Sequence, residues 1–224
     1  MLIVIARYNE DIEWSNKYLS NVLIINKGDK IEGIKNQIFY PNVGREGHSY
    51  YKYIVDNYDN LDDYIIFLQG NPLDHSPDII NILDTFMENY NKDKENFMNI
   101  IINTNINYTL INCGYNYNNI SIEDVKNSNF IYISQYINNT SIRTEEKLWE
   151  NCKNIANTYE LVFNKKIEDD LKFIYGAGAQ FLVSREAILK HHKSYYEKLY
   201  KILEYANNPI EGHYIERFHK YIFS

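Results

Sequence analysis

Residues 2–10 read LIVIARYNE and residues 64–75 read YIIFLQGNPLDH. In each, an unbroken apolar run gives way abruptly to a polar loop. Leu2–Ala6 and Tyr64–Leu68 have strand length. Continuous rather than alternating hydrophobicity suits a strand covered on both faces, as in parallel sheets. Val22–Ile25 is a third run of this kind. Amphipathic stretches lie between and beyond them. Asp11–Leu19 starts with acidic residues, as a short helix does. Glu46–Tyr58 places Tyr50, Tyr51, Ile54, Val55 and Tyr58 at helical spacing. Ser76-Pro77 is expected to open a helix running to about Tyr90, with Ser as N-cap and Pro at N1. Strands alternating with helices predict an α/β fold with a mostly parallel sheet.

Further along, Asn91–Ser141 is Asn-rich and reads as mixed strands and loops. Glu145–Glu160 is expected to be one helix. Lys172–Ile174 and Gln180–Val183 flank a bend at Gly176-Ala177-Gly178. Helices are expected from Ser184, from Ser194 (a capping box with Glu197) and over Pro209–Phe223. There is no internal repeat and no long linker, so residues 1–224 are read as a single domain.

The chain of 224 residues is 45% hydrophobic and 24% charged, a globular composition long enough for a sizeable core. Its net charge of −7 argues against a protein built to grip nucleic acid, which needs a basic face. Two cysteines, Cys113 and Cys152, exclude a disulfide framework and a four-thiolate zinc site. No signal peptide and no apolar run of membrane-spanning length is visible, so a cytoplasmic location is expected. The sequons at Asn107, Asn119, Asn138 and Asn139 are then without consequence.

In open α/β sheets, ligands bind at the carboxyl ends of the strands. Three polar clusters fall there: Arg7-Tyr8-Asn9-Glu10, Asn42–His48 and Gln69–His75. The Asn42–His48 cluster has features suited to phosphate. Gly44 and Gly47 allow close backbone approach, Arg45 supplies a fixed charge and a helix start offers N–H groups. In the Gln69–His75 cluster, Asp74 and His75 are competent ligands for Mn²⁺ or Mg²⁺, or Asp74 caps a helix and His75 packs. In the last segment, His213, Glu216, Arg217 and Lys220 share one helix face. That stripe is either solvated or brings Glu and His to the site. His191-His192 reads as surface. There is no nucleophile elbow, P-loop or GxGxxG.

Taken together, IARYNED, NVGREGHSYYKYIVDNYDNL, YIIFLQGNPLDH, GAGAQFLVSREAIL and IERFHKYIF resemble, in this order, a family. It is a glycosyltransferase-like family of unknown function found in fungi, bacteria and large DNA viruses. The resemblance runs from about Ile3 to Phe223. It implies a compact GT-A-type domain, with a mixed, mostly parallel central sheet flanked by helices. It implies a transferase moving a sugar from a nucleotide-sugar donor, by superfamily habit a UDP-sugar, to a hydroxyl acceptor such as a glycan. It also implies that Ala6, Arg7, Tyr8, Asn9 and Glu10 line the nucleoside pocket. Gly44, Arg45 and Gln69 would join them at the donor, and Gly178, Ala179, Gln180 and Arg185 would lie on the acceptor side. The usual Asp-x-Asp metal motif is reduced here to the single acid Asp74. His75 or His213 would have to assist it in holding Mn²⁺ or Mg²⁺, or the donor binds without metal. An inverting enzyme needs a carboxylate base, for which Glu216 and Glu211 are the candidates. A retaining one needs no separate base in that role. A non-catalytic nucleotide- or sugar-binding module is the alternative. A metal-dependent phosphoester hydrolase would need more acids than the chain offers near Asp74.

Overall fold

The computed structural model describes residues 1–103, 111–112, 126–127, 129–148, 155–168 and 171–224. The apolar runs become neighbouring strands. Strand β1 (Leu2–Arg7) pairs in parallel with β2 (Val22–Asn26) on one side and with β4 (Tyr64–Gln69) on the other. Strand β3 (Gln37–Phe39) extends the sheet in parallel beyond β2. On the far side of β4, β10 (Phe181–Ser184) inserts antiparallel, followed by β7 (Phe130–Tyr132) and β6 (Lys126–Asn127). The seven-stranded order is β3-β2-β1-β4-β10-β7-β6. Strands β3, β2, β1, β4 and β7 run one way and β10 and β6 the other, so the sheet is mixed and mostly parallel. A small second sheet holds β5 (Ile111–Asn112), β8 (Tyr136–Ser141) and β9 (Lys172–Gly176) in the order β5-β8-β9.

Alternate residues of the central strands feed opposite faces. Val4, Ala6, Ile25, Ile65 and Phe67 enter one core, with helices α1 (Arg45–Asp56), α7 (Lys193–Leu203) and α8 (Ile210–Ile222). Ile3, Ile5, Ile24, Ile66 and Leu68 enter the other, with α2 (Ile79–Lys92) and α3 (Phe97–Asn103). Helices α4 (Ile142–Leu148), α5 (Ile155–Phe163) and α6 (Arg185–Leu189) complete the described set. Both faces of the sheet are covered, as the unbroken apolar runs require.

Several local expectations are corrected. The short helix expected over Asp11–Leu19 is present, shifted by two residues and wound as a 3₁₀ helix, Glu13–Asn21. Helix α2 starts at Ile79, not at Pro77, and Ser76 is no cap: its hydroxyl is turned toward Ile133 O and Gln180 Oε1, each 2.9 Å away, where its one proton is shared. Helix α7 is capped by His192, whose side chain accepts from Ser194 N, so Ser194 lies inside the helix and the capping box does not form. In place of one helix over Glu145–Glu160 there are α4 and α5, with residues 149–154 between them outside the described residues. The Asn-rich middle contains a helix, α3. Strands β9 and β10, on either side of the Gly176–Gly178 bend, belong to different sheets. His191 is not merely surface: it stacks on Tyr195 at 4.1 Å and its Nε2 lies 2.9 Å from Ile222 O. Cys113, Cys152, Asn107 and Asn119 lie outside the described residues, while Asn138 and Asn139 sit within β8. Among the described residues no helix is long and apolar enough to cross a membrane.

Candidate functional site

Because β1, β2 and β4 are parallel, the loops that follow them share one edge. After β1, Arg7 does not wait for a ligand. Its Nη1 donates to Asn26 Oδ1 (3.0 Å) and Asp29 O (2.9 Å), and its Nε to Glu10 O (2.9 Å). Asn9, in the left-handed region at φ 76°, accepts from Asp29 N at 2.7 Å. These bonds knit the loops after β1 and β2 together and leave the Tyr8 ring 51% exposed. Ala6 is buried and registers with Gln69, whose amide turns back to donate to Asn71 O at 2.7 Å. Glu10 lies over Gly70: a Cβ there would stand 2.5 Å from Glu10 Oε2, so the loops after β1 and β4 touch.

Lys27, directly after β2, donates to Val43 O (2.6 Å) and to Arg45 O. Burial pushes its ammonium down to about 8, against the opposing pull of Glu46. This ties the start of α1 to the same edge. Gly44, at φ 64°, is its N-cap. Two of the N–H groups expected to be open there are taken, Gly44 N by Ala206 O (2.8 Å) and Arg45 N by Asn207 O (3.2 Å). Arg45 has φ 50°. Its Nη1 lies 2.6 Å from His213 Nε2 and 3.2 Å from Nδ1, and its Nε donates to Glu46 Oε2 at 3.4 Å. Burial, helped by Arg45 and Arg217, holds the His213 imidazole down at about 4, so it is neutral and accepts from the guanidinium at pH 7.

The stripe on α8 faces inward. Glu216 Oε1 accepts from Gly178 N at 2.6 Å, and its side chain is 13% exposed. Burial pushes its carboxyl above the usual range. Glu46 pushes the same way, while Arg217, Arg45 and the Gly178 N–H oppose. Arg217 pairs with the buried Glu145 (2.9 Å), donates to His213 O (2.7 Å) and sits 4.4 Å over the Tyr175 ring. Tyr50 is fully buried near Glu46 and Glu216, and its hydroxyl has no hydrogen-bond partner among the described residues. Gly178 (φ 83°) and Ala179 (φ 52°) form the facing turn; a Cβ on Gly178 would stand 2.4 Å from His75 Cδ2. Asn9, Arg45 and Ala179 are three of the four non-glycine residues with positive φ among those described. Such strained backbone clusters where function over-determines it.

Not every expected residue joins this group. Gln180 is fully buried and bonds to Ser76 and to Pro72 O (3.1 Å), so its role is to brace the turn before α2. Arg185 pairs with Asp63 (2.9 Å), just before β4. It lies at the opposite edge because β10 runs antiparallel. Glu211 accepts from the Tyr205 hydroxyl and, five residues from Glu216 on α8, points to another side of the helix. Asp74 ends a 3₁₀ turn, Pro72–Asp74, and is exposed, and the His75 ring packs beside Gly178 and edge-on to Tyr136. Asp74, His75 and His213 are thus not gathered: among the described residues no three His, Cys, Asp or Glu side chains form a group able to hold a metal ion.

Residues 2–224 match the family described as protein of unknown function (DUF3431). The chain belongs to this family. No curated protein and no solved structure matches it. The family match takes in every residue of the edge, from Arg7 to Arg217. Lys27, Tyr50 and Glu145 were not singled out from sequence as site residues, while Glu46 was named only within the Asn42–His48 cluster and Arg217 only on the stripe of the last helix. For Lys27 a signal existed, since it directly follows a parallel strand. Glu145 and Arg217 meet only through the tertiary fold.

Proposed function

We propose that this protein is a glycosyltransferase that moves a sugar from a nucleotide-sugar donor, a UDP-sugar by resemblance, to a hydroxyl acceptor. The observation that carries this reading is the buried Glu216 carboxylate, held by Gly178 N–H beside the Arg45–His213 pair at the carboxyl edge of a parallel sheet. In an inverting displacement Glu216 takes the proton of the acceptor hydroxyl as its oxygen bonds to the anomeric carbon. The sugar–phosphate bond breaks, and its electron pair leaves on the diphosphate. Arg45 faces that growing charge. The exposed Tyr8 ring offers a face to the base, and the Gly178–Ala179 turn offers backbone to the acceptor. A cytoplasmic site of action is part of this proposal.

His213 is engaged by Arg45, and the exposed Asp74 is the one carboxylate left to a cation carried in by the diphosphate. The lone acid also favours one other reading, a nucleotide- or sugar-binding module without turnover. Release of nucleoside diphosphate from a sugar-nucleotide panel, with wild type and Glu216→Gln, separates the two. Turnover by wild type that drops at least a hundredfold in Glu216→Gln, with donor affinity kept, is expected of the transferase. Binding without turnover in wild type would favour the module. Full activity in the variant would remove Glu216 from the chemistry.

A further inference from the structure

The Arg45 guanidinium is fixed on several sides. Its Nε meets Glu46 Oε2 (3.4 Å), and its Nη1 meets His213 Nε2 (2.6 Å) and Asn208 Oδ1 (3.5 Å). Nη2 has no hydrogen-bond partner among the described residues, and the side chain is 33% exposed. The main chain is fixed too: Lys27 donates to the Arg45 carbonyl, and Asn207 O takes its N–H. The result is a planar cation with two nitrogens anchored and the third open, which suits a phosphate oxygen. A divalent ion on the same imidazole would face that guanidinium at contact distance, and the acids nearest it already answer cations, Glu46 that of Arg45 and Glu145 that of Arg217.

We propose that Arg45, anchored by His213, is the cation that receives the donor's diphosphate, and that the site binds a nucleoside diphosphate without a divalent ion. This rests on the transferase reading above. It also fixes the role of Glu46. As the neighbour that shares the Arg45 charge, Glu46 competes with the phosphate, so its removal strengthens binding. Were a metal the partner of the diphosphate, an acid at this place would help, and its removal would weaken binding.

Calorimetric titration with UDP, GDP, CDP and dTDP, in EDTA and in Mn²⁺, tests this on the full chain. One diphosphate is expected to bind with affinities within twofold in the two conditions. Arg45→Met is expected to weaken it at least tenfold while the free nucleoside binds as before. Arg45→Lys should not restore it, and Glu46→Gln should tighten it about threefold or more. Circular dichroism and melting of each variant check that the fold is kept, and the sign of the Glu46→Gln effect decides if an Arg45 variant misfolds. Binding that needs Mn²⁺, or is weakened by Glu46→Gln, would overturn this inference and leave the transferase reading standing. Absence of binding by all four diphosphates in both conditions would count against that reading, and this inference with it.

Discussion

Glu216 illustrates how one residue carries opposite demands. Burial favours its protonated form, so the folded state holds that proton more tightly than the unfolded chain. The stability this confers is full below the ordinary glutamate value of 4.5 and is lost as pH rises through the raised one. The cost grows with pH: above the raised value the site holds a carboxylate that the fold would rather see neutral. Glu216→Gln should melt higher than wild type at pH 7, with the gap closing below pH 4.5, while losing turnover. A lower melting temperature at pH 7 would mean that the Gly178 N–H bond outweighs the burial cost. The acid limb of wild-type activity should lie above pH 4.5, because the base must be deprotonated to act. Gly178 is under tighter constraint. Its φ of 83° and the 2.4 Å approach of His75 to a would-be Cβ leave alanine no place. Gly178→Ala should cost roughly 1–3 kcal/mol in denaturant melts and displace the Glu216 contact.

At the scale of elements, α1 and α7 meet through a glycine. A Cβ on Gly44 would stand 2.8 Å from Leu203 Cβ and 2.9 Å from Leu203 O, and φ there is 64°. Backbone cannot yield as a side-chain tip can. Gly44→Ala should therefore lower stability by about 2 kcal/mol or more, read as a shift of the urea midpoint at unchanged slope. The strands were legible in the sequence because unbroken apolar runs such as Tyr64–Leu68 have one structural use. Helix starts were less so. Ser76 has the right chemistry for a cap, but the tertiary fold turns its buried hydroxyl toward Ile133 O and Gln180 and away from the helix start. At the candidate site, the loops after β1 and β4 and the start of α1 were legible because topology sends the ends of parallel strands to one edge. Arg185 was misplaced because nothing local to FLVSR says that β10 runs antiparallel. The Arg217–Glu145 pair was invisible, since it joins residues far apart in the chain that only packing brings together.

For the molecule as a whole, three histidines dominate the acid response. His48 and His213 are held down at about 4 and His219 at about 3, each with burial as the leading cause. Folded, they stay neutral; unfolded, they titrate near 6.5. Their contribution is intact above pH 6.5 and is lost as pH falls toward 4. Each adds a slope of about 1.4 kcal/mol per pH unit within that window. Equilibrium unfolding at a series of pH values should show stability dropping steeply between pH 6.5 and 4. His219→Phe, whose ring already lies 4.6 Å from Phe181, should flatten the drop by about one proton. A profile unchanged by that substitution would place the acid sensitivity elsewhere.

The seating of β10 beside β4 also has a consequence in time. During synthesis β4 leaves the ribosome about 110 residues ahead of the strand that will cover its flank. At translation rates of roughly 5–20 residues per second, that seam stands open for about 5–20 s. For that interval the nascent sheet presents YIIFLQ, an apolar strand with one edge unpaired, to anything else in reach. Neighbouring nascent chains on a crowded polysome would meet it first, so the yield of folded protein should be governed by how fast β10 arrives.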